Sequence, residues 1–560
     1  MEFPTRRGFS ISYRGKTLLS RFDPVAQGER LAAEVPIKER TLYFCPSPIY
    51  GYGLPLFLQR LRQEGAQNNS AILCVEADEK LFEITKKALA ENSFPAALTN
   101  AKSPEEICDF VRQTWGERQF RRLETIRLSA GWQLYPQLYQ DMEGALGREL
   151  ALEWGNAMTL IRLGRLYTRN LIRNLALLPQ SESLSSFGFS SSPVLVLGAG
   201  PSLDPLLDEL SAFYGGAVPA PEERPFKIIC VDSCLHCLIE REILPDLVVI
   251  LESQHWNLRD FIGIRGRKIN AALDLSSLPA SARVLAGRRF FFATPWTNLA
   301  LFRRLGEAGI LPELSPPMGS VALSAVALAL RGGGPVLVSG MDFAYSLDAS
   351  HALSSPSQAE QAMRQTRLRS IINAAATLRE GSFSILSEAG KKLRSDPGMR
   401  RYRQLFEQEF AANSRLQGID GQGLPLGLKT VSPAEALAIL NSAGTSAGGG
   451  QGSEAGAAGE IPQQKIVDFI RREIDSLNTL KDMLSGAVPP EPSLLEQLID
   501  NCDYLWAHFP ECAGKGQGGD SKAESRRPPL TDLSFLKRLR MEIEPFHKCW
   551  EMALGELGDY

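Results

Sequence analysis

Short runs of four or five apolar residues recur between residues 193 and 395, and most end on a glycine or a small polar cluster. Val194–Leu197 runs into Gly198-Ala199-Gly200-Pro201-Ser202-Leu203-Asp204, with a helix expected from about Pro205. Lys227–Val231 ends at Asp232-Ser233 and leads into a helix to about Arg241. Leu247–Leu251 ends at Glu252-Ser253, Arg289–Ala293 at Thr294, and Pro335–Ser339 at Gly340-Met341-Asp342. Runs this short and this apolar suit strands buried on both faces. Alternating with helices, they pack as a parallel sheet covered on both sides. Such sheets bind ligands beyond the carboxyl ends of their strands, which is where the polar clusters fall.

The first 180 residues repeat the theme. Thr41–Cys45 stops at Pro46-Ser47-Pro48, Gly51 and Gly53 follow, and a helical pattern runs over Leu54–Glu64. Ala71–Val75 is a second strand, and Asp78 is placed to cap the next helix. This is a Rossmann-like half whose turn lacks the GxGxxG fingerprint, so a structural βαβ unit is the expectation. Residues 140–178 read as one long helix with Arg162, Arg165, Arg169 and Arg173 on one face, expected to be solvated. The serine-rich stretch 181–192 reads as an interdomain loop, 444–459 as a flexible Gly/Ala/Ser linker and 513–529 as a mobile loop. The expected fold class is α/β: a central Rossmann-like parallel-sheet domain (190–440), a smaller Rossmann-like N-terminal domain (1–180) and an α-helical C-terminal domain (462–560).

Composition narrows the function. A chain of 560 residues with 61 Lys+Arg against 64 Asp+Glu is not a polybasic nucleic-acid binder. No apolar stretch approaches the length of a membrane span. Nine scattered cysteines do not form a disulfide framework, so the expected compartment is the reducing cytoplasm.

Gly198–Asp204 is the sharpest local signal. Its glycines permit close backbone approach, the following helix start offers N–H groups to an anion, and Ser202 adds a hydroxyl. It reads as a phosphate or nucleotide cradle, although no Gly-Lys-Ser/Thr follows. Asp232 suits a ribose contact or a helix cap equally. Asp246 fixes a turn before a strand, and Glu252 is a carboxylate at a strand's carboxyl end. Cys234 and Cys237 have zinc spacing beside Cys230 and His236, but no second pair follows, and buried thiols are the expectation. Gly319-Ser320 opens another helix and is a second potential anion site. Of five histidines, His351 lies in a polar loop beyond a strand end, where an imidazole can serve as a base.

The ordered set GAGPSLD, CVDSC, LPDLVVILES, GSVALSAVALA and SGMDFAYSLDASHA resembles the motility accessory factor (Maf) flagellin glycosyltransferases. Their central domain is shared with 6-hydroxymethylpterin diphosphokinase-like proteins and is similar to bacterial sialyltransferases. The resemblance is strongest over 190–355. It implies transfer of a nonulosonic acid, of pseudaminic or legionaminic type, from its CMP conjugate to flagellin Ser/Thr. Flagellin and the CMP-sugar are then the partners, with no nucleic acid and no membrane span. No cofactor is required, and Mg²⁺ is an optional participant. Carried over, Gly198, Gly200, Pro201 and Ser202 hold the CMP phosphate and ribose. Asp232 and Ser233 lie near the nucleotide, with Thr294, Gly319 and Ser320 on the same side. Gly340, Asp342 and Phe343 lie near the cytidine or sugar, and Met341 is a further nucleotide-binding candidate. His351 and Asp342 are the catalytic candidates, and Tyr345 and Glu252 are further candidates. The family has Asp where this chain has Glu252, which weakens any metal or ribose role there. The low-complexity linker is also not a family feature. Two alternatives stand beside this reading. One is a Mg²⁺-dependent pterin pyrophosphokinase using Asp232, Asp246, Glu252 and Asp342. The other is a non-catalytic flagellin- or nucleotide-binding scaffold.

Overall fold

The computed structural model describes residues 1–560 apart from 93, 117–118, 190, 369–380, 388–389, 422, 447–460, 489–490, 513–526 and 559–560. Most of the expected linker at 444–459 and loop at 513–529 lies outside the described residues. The chain divides into two compact units, Met1–Arg165 with Trp506–Arg538, and Leu166–Leu505 with Leu539–Tyr560. These divisions differ from the expected boundaries near 180–190 and 440–462, and the expected C-terminal helical region contributes to both units.

In the first unit, β1 (Glu2–Pro4), β2 (Phe9–Tyr13) and β3 (Lys16–Thr17) form an antiparallel sheet ahead of α1 (Pro24–Glu34). Then β4 (Thr41–Pro46), α2 (Leu54–Gln63), β5 (Ala71–Val75), α3 (Glu79–Glu91), β6 (Ala97–Thr99), α4 (Pro104–Trp115) and β7 (Arg122–Thr125) alternate. The strands are parallel in the order β6-β5-β4-β7. Successive residues of β4 serve opposite cores, as a period of two requires. Leu42 and Phe44 pack with Ile107, Val111 and Met142, while Tyr43 and Cys45 pack with Leu54, Phe57 and Leu128. Asp78 caps α3 through the N–H groups of Lys80 and Leu81. The long α5 (Pro136–Leu175) follows.

The second unit holds β8 (Glu182–Ser183), β9 (Val194–Leu197), α6 (Leu203–Phe213), β10 (Lys227–Val231), α7 (Leu235–Ile239), β11 (Leu247–Ile250), β12 (Ala271–Asp274), β13 (Arg289–Phe292), α8 (Ala300–Glu307), α9 (Val321–Ala329) and β14 (Val336–Ser339). It continues with α10 (Pro356–Met363), β15 (Phe383–Leu386), β16 (Lys392–Ser395), α11 (Pro397–Phe410), β17 (Leu416–Ile419), β18 (Thr430–Val431), α12 (Pro433–Ser446), α13 (Gln463–Ser485) and α14 (Pro492–Asn501). The last helix, α15 (Leu533–Gly558), contributes residues to both units.

Among the described residues nine parallel strands form one sheet, in the order β18-β17-β14-β9-β10-β11-β12-β13-β8. Its central strands are buried apart from Lys227 at the start of β10, in keeping with their apolar runs. From β9 the chain builds outward to β13, then crosses to the other side of β9 for β14. The switch point therefore lies between β9 and β14. The serine-rich stretch is not only a loop: Glu182–Ser183 pairs with Phe290–Phe291 as the sheet's edge. On α5, Asn170 Nδ2 donates to the carbonyls of Ser253 (2.9 Å) and Ser276 (3.0 Å). Asn174 Nδ2 donates to those of Leu275 (2.9 Å) and Ser277 (2.8 Å), so both amides fix the loops after β11 and β12. Of the arginine stripe, Arg162 and Arg169 are exposed, and Arg173 pairs with Glu556 at 3.1 Å. Among the described residues no helix is long and apolar enough to cross a membrane.

Candidate functional site: a cleft at the switch point

The loops that leave β9 and β14 pack against each other at backbone distance. A Cβ on Gly198 would lie 2.4 Å from Gly340 O, and one on Gly200 would lie 2.4 Å from Asp342 Oδ2. Gly200 N–H donates to Gly340 O (2.8 Å), and Gly340 N–H donates to Ser202 Oγ (3.2 Å). The glycines thus serve a close contact between two loops. The N-terminus of α6 is occupied from within: Ser202 N–H donates to Asp342 Oδ2 at 2.8 Å. Burial pushes the Asp342 carboxyl above the ordinary aspartate value, against the opposing hydrogen bond from Ser202. Asp204 is also committed, with Oδ2 accepting from Leu353 N–H (2.8 Å) and Oδ1 from Arg241 Nη2 (3.3 Å).

Beside this junction opens a cleft of about 420 Å³. Its walls include Gly200, Ser233, Ser320, Gly340, Met341, Asp342, Phe343, Tyr345 and His351. The structure thus brings nine of the sequence candidates together. Gly198, Pro201 and Ser202 lie in the adjoining turn without lining the cleft. Asp232, Glu252 and Thr294 also stand outside it. Asp232 is buried, accepting from Asn257 Nδ2 (2.6 Å) and Ser233 N–H (2.8 Å). Burial, reinforced by Asp260, raises its pKa to about 7. Glu252 is exposed and accepts from Gln254 N–H (2.8 Å). Thr294 N–H donates to Asp274 Oδ2 (2.9 Å) at the end of β12. Asp246 lies at the opposite, amino-terminal end of the sheet, paired with Arg224 at 2.6 Å. Cys230, Cys234 and Cys237 are buried, and the Cys234 thiol donates to the carbonyls of Leu197 and Val231.

The walls contributed by α10 and α11 carried no motif. Ser357 and Gln361 come from α10, and Met399 and Tyr402 from α11. Val321 and Ala322 are the first residues of α9, so that helix presents its N-terminus to the cleft. Gly319, at φ 66°, turns the chain into it. Phe343 is held at φ 46°, a backbone region that bulky residues rarely occupy. Its carbonyl accepts from Ser395 Oγ (2.9 Å), and Tyr345 and Arg394 exchange backbone hydrogen bonds (2.9 and 2.8 Å). The β15–β16 hairpin therefore clamps the strained loop. His351 Nδ1 lies 2.9 Å from Ser350 Oγ. Burial, then the nearby Arg259 guanidinium, lowers its pKa below the usual histidine value. Among the described lining residues there is no Lys or Arg, and Asp342 supplies the one carboxylate.

At the corresponding end of the first unit's sheet, the loops after β4, β5 and β7 hydrogen-bond to one another. Ser47 Oγ donates to Glu76 Oε2 (2.6 Å), and Ser129 Oγ donates to Ser47 O (2.6 Å). Ile49, at φ 58°, is buried there against Ile11, Leu18, Leu19 and Leu81. Burial raises the Glu76 carboxyl to about 7.

Three comparisons place the chain among known proteins. Over its length it is similar to an uncharacterized protein of Treponema pallidum (strain Nichols), with 29% identity over 569 residues, 97% of this chain and 94% of that protein. Among solved structures it is similar to the MAf glycosyltransferase from Magnetospirillum magneticum AMB-1, with 13% identity and a TM-score of 0.48, over 98% of this chain and 88% of that one. Residues 168–348 match the family model for MptE-like proteins, described as 6-hydroxymethylpterin diphosphokinase MptE-like. The matched segment contains β9, β14 and the switch point between them.

Proposed function

We propose that the protein is a transferase that moves a nonulosonic acid from its CMP conjugate to Ser/Thr hydroxyls of flagellin. The observation that carries this reading is the charge of the cleft. It offers one imidazole, several hydroxyls and a helix N-terminus, with no Lys or Arg among the described lining residues. That set suits a ligand bearing one phosphate. The ordered motifs from GAGPSLD to SGMDFAYSLDASHA support the sugar-donor class through their resemblance. Because the N-terminus of α6 is taken by Asp342, the donor phosphate is assigned to the N-terminus of α9, beside Ser320. Tyr402, Phe343 and Tyr345 supply aromatic walls for the base and sugar.

In this mechanism the acceptor hydroxyl attacks the anomeric carbon, and a new C–O bond forms. The bond from that carbon to the phosphate oxygen breaks, and CMP leaves with both electrons. His351 takes the hydroxyl proton, while backbone N–H groups and Ser320 stabilise the leaving phosphate. Asp342 acts on the loop through Ser202. Its buried carboxyl is not required to take a proton.

A pyrophosphoryl-transfer reading is suggested by the description of the matched family. It needs carboxylates that converge on a metal–triphosphate. The four proposed for it do not converge: Asp246 is at the far end of the sheet, Glu252 is exposed, Asp232 is held by Asn257, and Asp342 alone lines the cleft. The test is transfer itself. Purified protein, flagellin and a CMP-activated nonulosonic acid should give flagellin heavier by one sugar residue and an equivalent of free CMP. Unmodified flagellin with an intact donor would contradict the reading.

A further inference from the structure

The hydrogen bonds of the segment that carries His351 converge on one buried side chain. Gln358, in the first turn of α10, is 2% exposed. Its Nε2 donates to Asp348 O (2.9 Å), and its Oε1 accepts from Ser350 N–H (3.1 Å). A buried primary amide needs partners at both ends, and Gln358 finds them on the histidine segment. The segment is pinned twice more, by Ala352 N–H to Ala199 O (2.8 Å) and by Leu353 N–H to Asp204 (2.8 Å).

Ser350 Oγ lies 2.9 Å from His351 Nδ1, 3.5 Å from Gln358 Oε1 and 3.5 Å from Gln361 Nε2. Gln361 Nε2 is a donor and Gln358 Oε1 only an acceptor. One direction satisfies the whole chain: Nδ1–H donates to Ser350 Oγ, and the Ser350 proton donates to Gln358 Oε1. We propose that Gln358, acting through the Ser350 hydroxyl, is a positioning residue that fixes His351 with its proton on Nδ1 and leaves Nε2 as the base. This rests on the assignment of His351 as the proton acceptor in the transfer reaction.

The orienting group is a neutral amide where a carboxylate would stabilise the imidazolium. The charged groups around the segment are otherwise engaged. Arg259 pairs with Glu360 (3.1 Å), Asp348 accepts from Ser346 Oγ (2.6 Å), Asp342 accepts from Ser202 N–H (2.8 Å), and Asp204 is bound to Leu353 and Arg241. A negative charge placed at position 358 should therefore reach His351 through Ser350.

The experiment uses the full chain with ¹⁵N-labelled histidine. The His351→Asn variant identifies the His351 signals among the five histidines. The expected wild-type spectrum at neutral pH shows Nδ1 protonated and Nε2 bare. Gln358→Glu should raise the His351 pKa by about one unit. Ser350→Ala should remove the tautomer preference. It should also lower kcat about 10-fold or more, with KM within about two-fold. An Nε2–H tautomer in the wild type overturns the proposal. So do a pKa and a tautomer unmoved in both variants. If the spectra behave as expected and the wild type transfers no sugar, the failure belongs to the functional reading and the positioning stands.

Discussion

Gly200 has no room for a methyl group. Its Cβ would meet Asp342 Oδ2 at 2.4 Å and Gly340 O at 2.8 Å. Gly200→Ala should cost about 1–3 kcal/mol in urea unfolding, and an unchanged midpoint would contradict the contact. At His351 the useful form is the neutral one. Burial and Arg259 lower its pKa below the usual value, which favours the free base at neutral pH. The predicted kcat/KM is flat near pH 7 and falls only as acid reaches that lowered pKa. His351→Ala should lose transfer about 100-fold or more while CMP still binds. Asp232 and Glu76 act on stability. Burial raises each to about 7 in the folded chain, well above an unfolded carboxylate. Their contribution is fully present below the unfolded value and is lost as pH rises through about 7. The melting temperature should therefore fall between about pH 4 and 7, and Glu76→Gln should flatten that slope. A slope unchanged by Glu76→Gln would contradict the assignment at that residue.

Elements were legible where their own residues decide them. The buried runs at β9, β10, β11 and β14 stand out as unbroken apolar stretches, and Asp78 announces α3. β12 (Ala271–Asp274) was missed because Ala-Ala-Leu-Asp carries little apolar signal, and β17 because Gln417 and Gly418 interrupt it. The start of α6 misleads for a related reason. GAGPSLD has the composition of an anion cradle, yet the group that accepts from the start of α6 is the Asp342 carboxyl, 140 residues away. No local pattern could reveal that pairing. The same holds for Gln361, Met399 and Tyr402, ordinary helix residues that line a site through tertiary packing. Asn174 on α5 supports the loop after β12 through two buried carbonyls. Asn174→Ala strands both acceptors, and thermal unfolding should show a loss of about 1–3 kcal/mol. A neutral substitution would mean that the amide is not holding the loop.

For the whole molecule, the two α/β units make opposite use of one architecture. In the first, Ser47, Glu76 and Ser129 are hydrogen-bonded to one another and Ile49 is buried in a core cluster. In the second, the crevice between β9 and β14 stays open as a cleft of about 420 Å³. The proposed function therefore needs one nucleotide site among the described residues, the cleft of the second unit. Isothermal titration of the full protein with CMP and with ATP, each with and without Mg²⁺, tests this most directly. The predicted result is one CMP per chain without a metal requirement, weakened about 10-fold or more by Tyr402→Ala and unaffected by Glu76→Gln. Mg²⁺-dependent ATP binding without CMP binding, or CMP binding that Tyr402→Ala leaves intact, would contradict it.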